Sequence, residues 1–170
     1  FFAVVYQDFA KYYISLKDNI ALGNVLNTDE KAIGEVASII GLDDVITNLK
    51  DGLDTPLGKI KEDGTDLSGG EWQKVAIART LYNPAEIRIL DEPTAALDPV
   101  AESNVYAMFG RISAGKSTIF ITHRLGAARL ADEIIVIDDG KVAEKGSHEK
   151  LLSQNGIYAE MFEAQRSWYQ

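Results

Sequence analysis

Short runs of apolar residues alternate along this chain with longer stretches in which apolar residues recur every three or four positions. Runs of the first kind are typical of buried strands, and stretches of the second kind are typical of helices that pack on one side. The apolar runs predict strands over Phe1–Tyr6, Ile87–Leu90, Thr118–Thr122, Glu133–Ile137 and, after a tight turn at Asp139-Gly140, Lys141–Glu144.

Helix starts are indicated by residues whose side chains can cap free backbone N–H groups. Thr28 is expected to cap a helix that ends near Ile40. Asp98 is expected to cap a helix that begins with Pro99, where the missing N–H of proline costs nothing, and that ends near Ile112. The other helical segments are predicted at Asp43–Lys50, Gly70–Tyr82, Leu125–Leu130, Ser147–Leu152 and Ile157–Tyr169. Gln7–Leu22 is expected to form a surface loop that leads into a short helix, and Gly52–Asp66 a turn-rich loop.

Helices that alternate with short apolar strands indicate an α/β fold, with a largely parallel sheet flanked by helices. The 170 residues, 46% of them hydrophobic, suffice for one domain with a substantial core, and no repeat or low-complexity linker divides them. Since the first residues already read as a buried strand, we expect this domain to be incomplete at its N-terminal side.

The charge balance restricts the class of partner. A formal net charge of −9 argues against a nucleic-acid-binding surface, because the neutralisation of phosphates supplies most of that affinity. ATP is also anionic, but backbone amides and one or two cations usually hold it, so an acidic domain can still bind ATP. The chain has no cysteine, which excludes disulfides and thiolate chemistry.

The segment Leu67–Glu71, with the sequence LSGGE, has the composition of a phosphate-binding turn at the start of a helix. Gly69 and Gly70 allow backbone N–H groups to approach a ligand closely, and Ser68 can donate its hydroxyl to a phosphate oxygen. The alternative is an ordinary helix N-cap, which explains Ser68 but neither glycine.

Two adjacent acids follow the strand at Ile87–Leu90. At the carboxyl end of a parallel strand they would face the crevice above the sheet, where ligands bind. Asp91 suits a magnesium ion, usually through water, and Glu92 can hold a water molecule as a general base. The alternative is a strand that ends in solvated acids. Arg88 interrupts the apolar strand, so we expect one face of the strand, or its beginning, to reach solvent.

His123 and Gln7 each follow a predicted strand. His123 could contact a γ-phosphate or orient the water held by Glu92, although a lone histidine is more often structural. Gln7 could ligate magnesium or orient water, but by itself it is a glutamine in a loop.

Five segments of the chain, in the same order as in that family, resemble motifs of the ATP-binding-cassette (ABC) ATPases. The sequence LSGGEWQKVAIAR resembles the signature motif of the family, and IRILDE resembles its Walker B strand with the catalytic glutamate. The other matches are VVYQD around Gln7 to the Q-loop, Ala95–Asp98 to the D-loop and ITHR around His123 to the switch-histidine segment. The resemblance covers nearly the whole chain.

The resemblance implies that one part of the chain faces a second nucleotide-binding domain. Ser68, Gly69 and Gly70 would bind the γ-phosphate of an ATP that is held mainly by this partner domain. Asp98 would act across the same dimer interface.

The resemblance implies that another part of the chain serves the ATP of its own domain. Asp91 would serve magnesium, Glu92 the attacking water and His123 the γ-phosphate. Gln7 would serve magnesium and the communication with a transport domain. The implied cofactors are therefore ATP and Mg²⁺.

The resemblance also implies an order of parts within a single partial domain. Residues 1–8 would hold a core strand and the Q-loop, residues 9–83 a helical signature subdomain, residues 84–146 the core from Walker B to the switch histidine, and residues 147–170 the C-terminal helices. Phe9–Ile20 resembles the exporter segment that contacts a transmembrane coupling helix. This implies a transmembrane domain as partner and a position on the cytoplasmic face of the cell membrane.

The family also requires a Walker A phosphate loop, G-x-x-x-x-G-K-[ST], upstream of Gln7. The pattern occurs instead at Gly110–Ser117, where a predicted helix precedes it and a predicted strand follows. That order is the reverse of the one that aims helix N-terminal amides at phosphates, so we interpret Gly115-Lys116 as an exposed turn. We therefore expect the 170-residue chain alone to bind ATP very weakly and not to hydrolyse it, and to leave a sheet edge open to association.

These features together predict the signature-bearing, C-terminal part of an exporter-like ABC nucleotide-binding domain, which hydrolyses ATP and drives a substrate across a membrane. One alternative is a soluble ABC ATPase in translation or DNA maintenance; the net charge of −9 and the exporter-like segments argue against it. A second alternative is a non-catalytic partner cassette; Glu92, His123 and an intact LSGG argue against that one.

Overall fold

The computed structural model describes residues 2–59, 64–94 and 99–166, with the backbone alone for residues 99–102 and 104. The chain forms two compact units, Phe1–Ile121 and Thr122–Gln170. The described part of the first unit contains, in chain order, β1 (Phe2–Val5), α1 (Leu16–Ala21), α2 (Glu30–Ile39), α3 (Asp43–Asn48), a 3₁₀ turn (Gly52–Asp54), α4 (Gly69–Tyr82), β2 (Ile87–Asp91), α5 (Pro99–Ile112) and β3 (Ser117–Ile121).

The three strands of the first unit form a parallel sheet in the order β1-β2-β3. Val5 of β1 lies opposite Leu90 of β2, and Asp91 of β2 lies opposite Ile121 of β3. Because the strands are parallel and in register, their carboxyl ends meet at the same edge of the sheet. The predicted α/β class with a parallel sheet is confirmed, and the predicted strands differ from the observed ones by at most two residues at either end.

Helix α4 organises the helical part of the first unit. Its buried residues are Trp72, Gln73, Val75, Ala76, Ile77, Ala78, Thr80 and Leu81. Helices α1 and α2 pack against it and contribute buried Ile20 and Ile33. Burial of one such side chain stabilises a fold by about 1.5–3 kcal/mol. The position of α4 is therefore fixed by packing along most of its length.

Helix α2 is capped by Asp29, so the prediction of Thr28 as its N-cap was wrong by one residue. The Asp29 carboxylate accepts hydrogen bonds from the backbone N–H groups of Lys31 (2.9 Å) and Ala32 (3.3 Å). The backbone N–H of Asp29 donates in turn to the hydroxyl of Tyr82, at the end of α4 (2.8 Å). Thr28 and Asp29 both have side chains that are able to cap a helix. The hydrogen bond to Tyr82 of α4 holds the backbone of Asp29 at the start of α2, so Asp29 is the cap.

Arg88 corrects part of a second expectation: one face of β2, with Ile87, Ile89 and Asp91, is half-buried, but Arg88 lies on the opposite, buried face. The residue is buried, with 8% of its surface exposed. Its guanidinium donates to the backbone carbonyls of Leu81 (3.3 Å) and Ile112, in the last turns of α4 and α5. Burial lowers the pKa of Arg88, although the charge of Glu86 offsets part of the effect. The arginine thus pairs carbonyls that helix ends leave without an intrahelical partner.

The second unit is a hairpin packed with three short helices in its described part. Its elements are α6 (Leu125–Ala128), β4 (Ile134–Asp138), β5 (Lys141–Gly146), α7 (His148–Ser153) and α8 (Ile157–Arg166). The strands are antiparallel, and Asp139 and Gly140 both have a positive φ (46° and 71°), as a two-residue hairpin turn requires. Ser147 caps α7 as predicted, by accepting from the N–H of Lys150 (3.3 Å).

A small apolar core holds the second unit together, and its residues are Leu125, Ile134, Val136, Leu151 and Tyr158. The carboxylate of Glu144 in β5 accepts from the N–H groups of Ile157 (2.7 Å) and Tyr158 (3.0 Å), which caps α8. In neither unit does a helix of the described residues combine the length and the apolar character needed to cross a membrane.

The role of Arg88 leads to a stability prediction. In the protein that carries this chain, Arg88→Met should lower the free energy of unfolding by about 2 kcal/mol or more, because two helix-end carbonyls lose a buried donor. The control is Arg111→Met, the same exchange at an exposed arginine in the last turn of α5, which should cost about 0.5 kcal/mol or less. Urea denaturation measures both values, and equal small losses would contradict the assignment.

Candidate functional site

Helix α4 begins with Ser68 as its N-cap. The Ser68 Oγ accepts from the N–H of Glu71 (3.3 Å), and a Glu71 carboxylate oxygen accepts from the N–H of Ser68 (2.7 Å). This reciprocal pair is a capping box, so the structural interpretation of Ser68 holds. It leaves room for a ligand, because a hydroxyl that accepts one hydrogen bond can still donate its own proton. Ser68 is exposed to solvent.

Gly69, the first residue of α4, has no structural explanation among the described residues. A Cβ built at Gly69 would meet no described atom within 4 Å, and Gly69 does not have the left-handed φ that favours glycine. The N–H groups of Gly69 and Gly70, in the first turn of α4, are features that an anionic ligand can use.

The carboxyl edge of the sheet brings together Gln7, Asp91 and Glu92. Asp91 is the last residue of β2, Glu92 follows it, and Gln7 comes two residues after Val5, the end of β1. Since Val5 lies opposite Leu90, all three leave the sheet on the same side. Gln7 is exposed and the two acids are half-buried, so each is accessible from solvent. Three of the predicted site residues thus share one edge of the sheet.

The backbone of Glu92 adopts a left-handed conformation, with a φ of 44°. This region is unfavourable for a residue with a Cβ, by about 1 kcal/mol or more. The N–H of Glu92 donates to the carbonyl of Ile121 at the end of β3 (2.9 Å), and its carbonyl accepts from Gln73 Nε2 (3.3 Å). These two hydrogen bonds hold the backbone of Glu92 in this conformation.

Gln73 is the site residue that sequence reasoning missed. It is 1% exposed, on the buried face of α4, and its amide bonds to the backbone of Glu92. The link joins the helix that starts with Ser68 to the acid that follows β2. The available signal was a glutamine among the apolar residues of a helix, since a buried amide requires a partner.

His123 lies in the second unit, two residues after β3 ends at Ile121. Its side chain is exposed, and its backbone carbonyl accepts a hydrogen bond from Gln165 of α8. The role of His123 therefore remains a prediction. Asp98 and the rest of the segment 95–98 lie outside the described residues.

The residues at the sheet edge fit a magnesium ion. Asp91 and Gln7 offer oxygen atoms, the donors that Mg²⁺ prefers. Within residues 2–59, 64–94 and 99–166, no three His, Cys, Asp or Glu side chains gather as a metal site. Magnesium does not need such a group, because it keeps several waters and takes one or two protein ligands together with phosphate oxygens. The donor set therefore suits an ion that arrives with a nucleotide.

The glycine-lysine pattern at Gly110–Ser117 begins in the last turn of α5 and ends at the first residue of β3. Gly115 and Lys116 lie in the turn between these elements, as predicted. Gly115 has a φ of 68°, and Lys116 forms an ion pair with Glu86 (2.7 Å) and donates to the carbonyl of Pro84 (3.3 Å). The helix precedes this turn, so its carbonyl end, not its N–H end, is near the loop. The pattern does not form a phosphate site.

Comparisons with known proteins show which sequences this chain resembles. The family model described as ABC transporter matches residues 3–95, just over half of the chain. The nisin transport ATP-binding protein NisT of Lactococcus lactis subsp. lactis is 46% identical over 162 residues, which is 94% of this chain and 27% of NisT. The subtilin transport ATP-binding protein SpaT of Bacillus subtilis is 43% identical over 165 residues, 96% of this chain and 27% of SpaT.

A solved structure is also similar, that of a bacterial Atm1-family ABC exporter with ATP bound. It has a TM-score of 0.86 and 36% sequence identity, and the match covers 97% of this chain and 28% of the exporter chain. The chain thus spans just over a quarter of the length of these relatives.

The conformation of Glu92 leads to a stability prediction. Glu92→Gly should be more stable than Glu92→Ala by about 1 kcal/mol. Both variants lose the side chain, but the positive φ is unfavourable for alanine and not for glycine. The control pair is Asn155→Gly and Asn155→Ala, at another residue with a positive φ (50°), which should show the same order. Urea denaturation measures the differences. An alanine variant at position 92 as stable as the glycine variant would show that the backbone carries no strain there.

Proposed function

Because the chain belongs to the ABC transporter family, we propose that it is part of a nucleotide-binding domain that hydrolyses ATP and drives a substrate across a membrane. The sheet edge that gathers Gln7, Asp91 and Glu92 carries this proposal. An acid at that edge, held by backbone hydrogen bonds on both sides, is suited to orient a water molecule against a phosphate. The relatives NisT and SpaT are both named as transport ATP-binding proteins.

In the proposed reaction, Glu92 accepts a proton from a water molecule as the water oxygen attacks the γ-phosphorus of ATP. The bond between that phosphorus and the β–γ bridging oxygen breaks, and ADP and inorganic phosphate leave. Asp91, through water, and Gln7 would hold Mg²⁺, which neutralises charge on the phosphate oxygens. His123 would contact the γ-phosphate. Asp91 and Glu92 are adjacent, and side chains of successive residues point in different directions, so the two acids can serve different partners.

A second nucleotide-binding domain is the proposed partner across ATP. Ser68, Gly69 and Gly70 would contact the γ-phosphate of an ATP held by that domain, and Asp98 would act at the same interface. The exposure of Ser68 supports a ligand that comes from outside the chain, as does the lack of any described atom within 4 Å of a Cβ built at Gly69. The other proposed partner is a transmembrane domain that contacts Phe9–Ile20, which places the chain at the cytoplasmic face of the cell membrane.

The Glu92 carboxylate is tested by Glu92→Gln in the whole protein that carries this chain. The amide cannot accept the proton, so ATP turnover should fall by about a hundredfold or more while ATP binding is kept. Phosphate release and binding of a fluorescent ATP analogue measure the two effects. The control is Glu86→Gln, the same exchange at an exposed glutamate just before β2, with turnover close to wild type. Turnover of Glu92→Gln within twofold of wild type would refute the role.

The two interpretations of Ser68 are separated by Ser68→Asp. Aspartate caps a helix about as well as serine, so stability should change by about 0.5 kcal/mol or less. A carboxylate beside a phosphate repels it, so ATP turnover should fall by about tenfold or more. The control is Ser147→Asp, the same exchange at the N-cap of α7, with normal turnover. If Ser68→Asp keeps wild-type turnover, Ser68 is a helix cap alone.

A further inference from the structure

We propose that Arg79 is a positioning residue, which fastens residues 10–13 to helix α4 so that a displacement of this segment is passed to Ser68. The inference rests on the proposed function, in which a transmembrane domain contacts Phe9–Ile20. It concerns how the segment that this domain contacts is connected, within the chain, to the start of α4.

Arg79 lies in the last turn of α4 and reaches the loop between β1 and α1. Its Nε and Nη2 donate to the backbone carbonyl (3.1 Å) and side-chain oxygen (3.0 Å) of Asn19. Its Nη1 donates to the backbone carbonyl of Ala10 (3.4 Å), and the guanidinium carbon lies 4.7 Å from the centre of the Tyr12 ring. One side chain of α4 thus contacts two residues of the segment and the helix that follows it.

Asn19 extends the same attachment. Its side-chain amide donates to the backbone carbonyls of Tyr12 (2.9 Å), Ile14 (3.4 Å) and Ser15 (3.1 Å). Asn19 is fully buried, so its side-chain amide depends on these carbonyls for its hydrogen bonds. The backbone around residues 10–15 is therefore held from α4 through Arg79 and Asn19.

A second attachment lies near the start of α4, at Trp72. The Tyr13 ring meets the Trp72 ring edge-on, with 6.4 Å between centroids, and Lys11 Nζ lies 5.9 Å from the centre of the Trp72 ring. Trp72 is 1% exposed, and its indole N–H donates to Asp66 (3.1 Å). Gly58 lies under Tyr13, where a Cβ would come within 2.0 Å of the ring. The segment is therefore enclosed as well as attached.

Residues 10–13 are attached to α4 at two points and not at one. Trp72 and Arg79 are seven residues apart on α4, which is about 10 Å along one face of the helix. A segment joined at one point could rotate, but one joined at two points moves with the helix. Tyr12 (44% exposed) and Tyr13 (48% exposed) keep enough free surface for a partner to push against. Since α4 begins at Ser68 and is packed as a rigid element, motion of the segment shifts Ser68.

Arginine is required for the first attachment by its geometry. The planar guanidinium reaches Asn19 and Ala10 with separate N–H groups and lies over the Tyr12 ring, whereas a lysine ammonium is a single point of charge. Arg79→Lys keeps the charge but cannot make these contacts together.

The test uses the whole transporter with Glu92→Gln, so that ATP binds and is not consumed. Trypsin cuts after Lys11, which is exposed, and mass spectrometry follows the rate of this cut without nucleotide and with saturating ATP and Mg²⁺. If α4 and the segment move together, ATP at Ser68 changes the rate at Lys11 by about threefold or more. Arg79→Lys should bring the ratio of the two rates close to one. Arg111→Lys, the same exchange at an exposed arginine in the last turn of α5, should leave the ratio unchanged.

A purely structural role of Arg79 predicts a different result. Arg79→Lys would then raise the rate of the cut equally with and without ATP, and the ratio would persist, which overturns the proposal. A ratio of one in the Glu92→Gln transporter with normal Arg79 also overturns the proposal. If Arg79→Lys does not fold, Tyr13→Leu removes the half-exposed ring of the second attachment and should bring the ratio closer to one; an unchanged ratio again overturns the proposal.

The failure of the proposed function is recognised separately. A whole transporter with normal Glu92 that neither binds nor hydrolyses ATP would contradict that function, and the inference with it. A transporter that hydrolyses ATP normally but shows no link between ATP and Lys11 contradicts the inference alone.

Discussion

The parallel pairing of β1, β2 and β3 is the constraint on which the first unit depends. Because Val5 lies opposite Leu90 and Asp91 opposite Ile121, three separate stretches of chain end at one edge of the sheet. Residues far apart in sequence, such as Gln7 and Glu92, thereby come to the same edge. Helix α4 then adds a second element, since its buried face packs on α1 and α2 and its Gln73 reaches the backbone of Glu92.

Most of this arrangement could be predicted from sequence, because it depends on local patterns. The apolar runs located the strands, and Pro99 marks the first residue of α5 as expected. Asp91 and Glu92 could be assigned to the sheet edge because residues at the carboxyl ends of parallel strands lie at one edge of the sheet. The loop at Gly115 could be rejected as a phosphate site from the order of its flanking elements alone.

The predictions that failed, and the contacts that were missed, depend on distant parts of the chain. Arg88 reads as a sign of exposure within its strand, but it is buried because the ends of α4 and α5 present carbonyls to it. Asp29 caps α2 in place of Thr28 because the Tyr82 hydroxyl accepts from its backbone N–H. The contacts of Gln73 and Arg79 are of the same kind, since their partners lie 19 and 60 residues away in sequence. No local pattern reports such partners.

The strained backbone of Glu92 is held by the helix that begins at Ser68, so the two parts of the proposed mechanism are connected. A left-handed conformation persists only where the surroundings fix it, and here the bonds come from β3 on one side and α4 on the other. The same helix begins at Ser68, about one and a half turns before Gln73, and Ser68 would meet the ATP of a partner domain. A shift of α4 toward the partner would therefore also act on the backbone that aims the Glu92 carboxylate. In the proposed function, the closing of one ATP site and the readiness of the other would thus be joined through a single helix.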